Sequence, residues 1–195
     1  MTELKTEIEN KIIERYKKLV GDRIYNDFTF KKFSDKDVIK KCDNFPNCNL
    51  YLYGKTGRGK THLAFSNFNK AFFGNMDNKA LDFVFKNRFI ATNSIQILRR
   101  MRQCENANEE QEVINKLSNS ILIIDDLGVQ KDTEFAVQTI YEIIDNRWLK
   151  GREGLIITSN LSLNELSKKF NDDRISSRIA GMCKVIKIEG NDFRL

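Results

Sequence analysis

The stretch Gly54-Lys55-Thr56-Gly57-Arg58-Gly59-Lys60-Thr61 constrains what this chain can fold into more than any other feature. Three of its ten glycines fall in these positions, directly before Lys-Thr. The spacing fits G-x-x-x-x-G-K-[ST], in which glycines let backbone N–H groups turn toward an anion and the lysine reaches its phosphates. A chain of 195 residues matches that pattern by chance with a probability below about 1% at average residue usage. A tight glycine turn with an incidental lysine would need no particular surroundings. A phosphate loop needs a strand leading in and a helix leading out. Asn49 to Tyr53 is β-rich and alternating, and Lys60 to Phe73 reads as a helix closed by Gly74.

The rest of the chain repeats that alternation. Arg88 to Thr92 reads as the next strand, followed by helices from Ser94 through Gln103 and from about Glu109 to Leu117. Ile121 to Asp125 opens with four apolar residues, which suits a strand buried on both faces. Thr133 to Leu149 reads as a long helix stopped at Gly151, with strands at Leu155 to Ser159 and Lys184 to Ile188. Strands alternating with helices imply parallel βαβ units. The expected class is α/β, a P-loop NTPase with five parallel strands flanked by helices.

Two further motifs sit where such a sheet binds ligands, beyond the carboxyl ends of its strands, and a third lies on a helix. Asp125 and Asp126 follow Ile121 to Ile124. Asp125 fits the Mg²⁺-holding acid of a Walker B element, and Asp126 the place of a base orienting the attacking water. Capping of a turn or helix is the alternative for two adjacent acids after a strand. Thr158-Ser159-Asn160 ends another strand with side chains able to meet a γ-phosphate or its water, or to cap a helix beginning in "LSLNEL". Arg174 and Arg178 stand at i and i+4 and share one helix face. They can act as fingers on a neighbouring subunit's phosphates, or form surface salt bridges.

Composition narrows the class further. No apolar run approaches the roughly 18 residues that span a bilayer, and the N-terminus is charged from Glu3 onward, unlike a signal peptide. No membrane association is expected and a cytoplasmic location is the default. Four irregularly spaced cysteines and one histidine argue against a disulfide framework and a zinc site, leaving free thiols. The net charge of +6 is mostly interspersed, but residues 88–103 carry Arg88, Arg99, Arg100 and Arg102 and no acid. That cluster reads either as a solvated helix face or as a contact to a phosphate backbone. Leu4, Ile8, Ile12, Tyr16 and Leu19 form one stripe of an amphipathic helix ending near Gly21. The stripe either packs on the body of the protein or docks in a partner's groove.

In order, "YGKTGRGKTHLA", "ILIIDDLGVQ", "IITSNLSLNEL" and "DDRISSRI" resemble the AAA+ ATPases of the bacterial helicase-loader family, the DnaC/DnaI type. The IstB-like helper ATPases of insertion-sequence transposition are close relatives. The resemblance covers about residues 24–195, leaving 1–23 as a separate N-terminal helix. It implies nucleotide contacts from Gly54, Lys55, Thr56, Gly57, Arg58, Gly59, Lys60, Thr61 and His62, with Thr61 and Asp125 at Mg²⁺. It implies Asn160 as sensor 1, Arg178 as the arginine finger, and Arg194 as a sensor 2 candidate. Phe28 to Phe33, "FTFKKF", would help close the adenine pocket. The resemblance further implies ATP as ligand, ATP-dependent homo-oligomers, single-stranded DNA contact through a group such as Arg99, Arg100 and Arg102, and a replicative hexameric helicase as partner. Departures are the short N-terminal segment, the missing helical lid, and Asp126 where many AAA+ proteins carry Glu, which points to slow turnover. A transposition helper and a non-hydrolysing nucleotide-bound module are the competing functions. A metabolic kinase would need an acceptor-binding lid that the sequence does not supply.

Overall fold

A strand whose successive residues are all apolar cannot leave either face in water, and the observed sheet is covered on both. A computed structural model of the chain describes residues 2–33, 35–73 and 89–190. Its strands are β1 (Asn49–Tyr53), β2 (Phe89–Asn93), β3 (Ile121–Leu127), β4 (Leu155–Ser159) and β5 (Cys183–Lys187). They form one five-stranded sheet in the order β2-β3-β4-β1-β5, and every pairing is parallel. The side-chain period of two divides each run between two cores. Leu50, Leu52, Ile121, Ile123 and Ile156 join one, while Tyr51, Leu122, Ile124, Leu155 and Ile157 join the other.

The first face carries α1 (Thr2–Val20), α2 (Asp22–Asp27), α3 (Lys36–Lys41) and α4 (Lys60–Phe73), with a 3₁₀ turn at Phe30–Lys32. The second carries α5 (Ser94–Met101), α6 (Ala107–Ser118), α7 (Glu134–Leu149), α8 (Leu163–Phe170) and α9 (Arg174–Met182). The two cores differ in chemistry. The first is rich in rings, with Tyr16, Phe68, Phe72 and Phe89 in mutual contact. The second is mainly isoleucine and leucine.

Several boundaries differ from expectation. β2 begins at Phe89; Arg88 and the helix stop Gly74 lie outside the described residues. β3 continues two residues past Asp125, and β5 starts one residue early, with buried Cys183 opposite Asn49. In α1 the stripe is corrected at its end. Ile12, Tyr16 and Val20 are buried, whereas Leu19 is 38% exposed. Positions 19 and 20 both satisfy helical spacing from Tyr16, and the core takes the one four residues on. The Tyr16 ring centre lies 4.0 Å from that of Phe72, tilted by 31°, and the Tyr16 hydroxyl donates to Asn69; both partners are on α4. The side chains of Leu4 and Ile8 lie outside the described residues. All four cysteines are unpaired. Among the described residues no helix is long and apolar enough to cross a membrane.

Candidate functional site

The strand order decides what can meet at the carboxyl ends. β4 lies between β1 and β3, so the loop after β1, the acids ending β3 and the polar end of β4 converge. The loop begins with a glycine that no other residue can replace without movement. A Cβ at Gly54 would stand 2.3 Å from the backbone oxygen of Ile188. The turn is clamped between β4 and the chain after β5, through Gly54 N to Ser159 O and Ile188 N to Tyr53 O. Gly59, with φ of 83°, needs the left-handed region that side chains disfavour. Its carbonyl accepts from Leu63 N and closes the first turn of α4. The N-terminal amides of that helix therefore face the loop, a ready place for an anion.

Lys60 is almost fully buried at 5% exposure. Its Nζ donates to Lys55 O at 2.9 Å and to Asn160 Oδ1 at 2.8 Å. Thr61 Oγ1 donates to Asp125 Oδ1 at 3.0 Å, and Thr158 Oγ1 to the same oxygen at 2.6 Å. The Thr158 hydroxyl also accepts from Asp126 N at 2.9 Å. These bonds link the loop after β1 and the start of α4 to the ends of β3 and β4 within one chain. Burial pushes the Asp125 carboxyl above its ordinary value, with the neighbouring Asp126 adding to the rise. The hydroxyls of Thr158 and Thr61 and the charge of Lys60 oppose it.

Asp126 has a left-handed backbone, φ of 54°, where β3 loses register with β4 between Ile124 and Leu127. A non-glycine residue there is strained and needs support from its surroundings. Thr158 holds its N–H, and Ser94 Oγ donates to its carbonyl at 3.2 Å. The bulge separates the two acids: Asp125 stays in the ladder opposite Asn93, while Asp126 departs from it.

The capping alternatives fall away. Thr133 caps α7, not either acid. Ser162 caps α8 in a reciprocal box with Glu165, which leaves Asn160 to Lys60. His62 lies under the aromatic segment, with its ring 4.9 Å from that of Phe28 in a stack and its Nε2 2.9 Å from Thr29 O. Phe33 is 6.0 Å from the same imidazole. Lys55 and Thr56 are exposed, and Gly57 and Arg58 are half-buried along the loop.

Other candidates do not join this cluster. Arg178 Nε donates to Asp145 Oδ1 at 2.7 Å, and its guanidinium lies 4.0 Å from the Trp148 ring centre. Arg174 grips Asp172 through Nε and Nη2 and covers Tyr141. Arg99 and Arg100 are exposed on α5, and Arg102, at its end, stacks over Phe135 at 5.7 Å. Arg194 lies outside the described residues. Ser94 was not foreseeable from its own neighbourhood, because it reaches Asp126 only through the pairing of β2 with β3.

Thr61 and Asp125 present hydroxyl and carboxylate oxygens to one point, a donor set suited to Mg²⁺. Comparison with known proteins bears on the fold and the family. The DnaA replication initiator of Onion yellows phytoplasma (strain OY-M) is 27% identical over 169 residues, 86% of this chain and 30% of that protein. The chain thus spans less than a third of that curated relative. The crystal structure of the DnaC helicase loader superposes with a TM-score of 0.65 at 22% identity, over 85% of this chain and 98% of that one. DnaA bound to AMPPCP and single-stranded DNA gives a TM-score of 0.64 at 20% identity, over 85% of this chain and 51% of that one. The sheet and its helices are those of P-loop AAA+ ATPases. The model of IstB-like ATP binding proteins matches residues 11–195, and the chain belongs to that family.

Proposed function

We propose that this chain is an ATP-hydrolysing switch that loads a replicative hexameric helicase onto single-stranded DNA. The observation that carries the switch is the hydrogen-bonded series Lys60–Asn160 and Thr61–Asp125–Thr158–Asp126, which couples the phosphate loop to two neighbouring strand ends. Amides of residues 54–61 and the Lys60 ammonium would bind the phosphates, and the Phe28–His62 stack would border the base. Thr61 and Asp125 would hold Mg²⁺, which neutralises charge developing on the transferred phosphoryl group. Asp126 would orient the attacking water and Asn160 would sense the γ-phosphate. Asp reaches less far than Glu, so turnover is slow. Arg178 would enter from a neighbouring subunit of an ATP-dependent homo-oligomer, and Arg194 would contact the nucleotide. Residues 1–23 would serve as a packing helix of the ATPase body, consistent with buried Ile12 and Tyr16.

The loader reading is supported by the extent of the DnaC likeness, which takes in nearly all of that loader chain but only half of a DnaA chain. The family's own description favours a second reading, an IstB-like transposition helper. Pull-down of the host's hexameric helicase by the tagged chain, with ATP and with ADP, separates them. ATP-dependent capture supports the loader. Capture of a transposase or its DNA complex without helicase supports the helper. DNA contact is tested by Arg99→Ala/Arg100→Ala/Arg102→Ala. Each lost phosphate contact should lower the slope of log K against log salt by about 0.7. An unchanged slope assigns the cluster to a solvated face.

A further inference from the structure

We propose that Asp145 and Trp148 are positioning residues for Arg178, fixing the direction in which its guanidinium meets an anionic group on a second copy of the chain. The inference rests on the reading of Arg178 as a finger. Asp145 and Trp148 are three residues apart on α7 and share one face of that helix. Arg178 crosses from α9 and is held on two sides. Its Nε donates to Asp145 Oδ1 at 2.7 Å, and its Cζ lies 4.0 Å from the Trp148 ring centre. The two helices are locked beneath, where Ile140, Ile144, Ile175 and Ile179 are all fully buried in one core.

Arg174, one turn earlier on the same face, supplies the contrast. It commits both Nε and Nη2 to the two oxygens of Asp172, the fork-to-fork arrangement that uses up an arginine's directional donors. Arg178 gives Asp145 its Nε alone. With Nε on a carboxylate and the guanidinium over an indole, the donors left on its terminal nitrogens are the groups best placed to meet an incoming anion. Tyr141, on the same helix, is a further hydrogen-bond partner of the guanidinium and helps to pin it. The surroundings stay open: the Arg178 side chain is 32% exposed, Trp148 40% and Leu149 67%. A flexible arginine would reach the same place in many rotamers. A pinned one loses less freedom when it engages, and small misplacement of such a group is expensive in rate.

The test is steady-state hydrolysis by the full chain under assembling conditions, with nucleotide affinity and melting temperature measured on each variant. Asp145→Ala should lower kcat about tenfold or more while KM and affinity stay within about twofold. Asp145→Glu should recover most of the loss, and Trp148→Phe should keep more activity than Trp148→Ala. In an Arg178→Ala background, Asp145→Ala should lower kcat no further, because it acts only through that arginine. Wild-type kcat in Asp145→Ala and Trp148→Ala, with Arg178→Ala reduced to a residual rate, overturns the positioning role and leaves the finger standing. Full activity of Arg178→Ala, or no turnover in the wild type, removes the finger and the inference with it. A loss in Asp145→Ala that persists in the Arg178→Ala background, or that comes with a large fall in melting temperature, marks a structural role and also overturns it.

Discussion

At the strand ends, Lys60, Thr61, Asp125, Thr158 and Asn160 hold one another within a single chain; on the outer face of α7 and α9, Arg174 and Arg178 are held by carboxylates and ring faces near solvent. The first region is continuous, with Lys60 and Thr158 buried and Thr61 and Asp125 half-buried, so removing one member leaves another polar group short of a partner. The second is open, and its pairs are the kind that contribute little to stability. The difference separates two kinds of function. On the proposed reading the inner cluster binds and orients a phosphate with what one chain supplies. On the same reading the outer arginines, paired with Asp172 and Asp145 in the isolated chain, act only where a second molecule brings a phosphate. Damage to the inner cluster should therefore show in nucleotide binding by the isolated chain, whereas damage to the outer face should spare binding and appear in turnover.

The largest effect is expected at Lys60. Lys60→Ala removes the ammonium from the loop and leaves only backbone donors for the phosphates. ATP affinity should fall at least about tenfold, 1.4 kcal/mol or more, and hydrolysis should become unmeasurable. Calorimetric titration checks it. Equal affinity in both proteins would break the comparison at its stronger end. Arg178→Ala in the same titration should bind like the wild type.

Next comes Gly54, where the inner region meets the framework. The added methyl of Gly54→Ala would press on the carbonyl of Ile188, and backbone cannot swing aside as a side chain does. The loss should be about 2–4 kcal/mol, or roughly 5–15 °C in melting temperature for a chain of this size. A thermal scan with far-UV circular dichroism decides. A shift below about 2 °C would mean that the chain after β5 adapts, and that the loop is less tightly framed than its contacts imply.

Much of the inner region was legible in sequence because its signals are local. A glycine loop between a strand and a helix is a contiguous pattern, and so are two acids after four apolar residues. The both-face burial of β3 and β4 could be read from unbroken apolar runs. What sequence could not supply was contact between distant residues. Nothing near Thr158 says that its hydroxyl serves both the carboxylate of Asp125 and the amide of Asp126. Nothing near Ser94 points to Asp126, and nothing near Asp145 points to Arg178. The choice of Val20 over Leu19 in α1 was likewise open, since both spacings fit a helix and only the position of α4 decides.

Thr158 tests that non-local part directly. Thr158→Val keeps the shape and removes a hydroxyl that both donates and accepts. Asp125 loses one of its two hydroxyl donors, and the amide of strained Asp126 loses its acceptor. About 1–3 kcal/mol of stability should be lost. Turnover should fall by roughly tenfold, as both acids shift, while ATP affinity changes less. Thr158→Ser should retain most of both. Wild-type stability in Thr158→Val would reduce the chain of bonds to a set of independent contacts.

The smallest expected effect has the opposite sign and is the sharpest test of what the inner region is for. Burial raises the Asp125 carboxyl above its ordinary 3.8, so the folded state prefers the protonated form more than the unfolded chain does. A raised carboxyl contributes its full stability below the unfolded value, and that contribution is lost as pH rises through the folded value. At pH 7 the ionised group is therefore a net cost to the fold, tolerated beside Thr61, Thr158 and Lys60. Asp125→Asn removes the charge and keeps an oxygen that accepts from both threonines. Without nucleotide or divalent cation, the variant should melt about 1–3 °C higher at pH 7, a gain under about 1 kcal/mol. The gap should close as pH falls toward 4 and the wild-type carboxyl takes up its proton. Mg²⁺-dependent nucleotide binding should be lost in the same variant. A variant that melts lower than the wild type at pH 7 would show that the charge supports the fold, and Asp125 would then belong with the outer arginines as part of a structural pair.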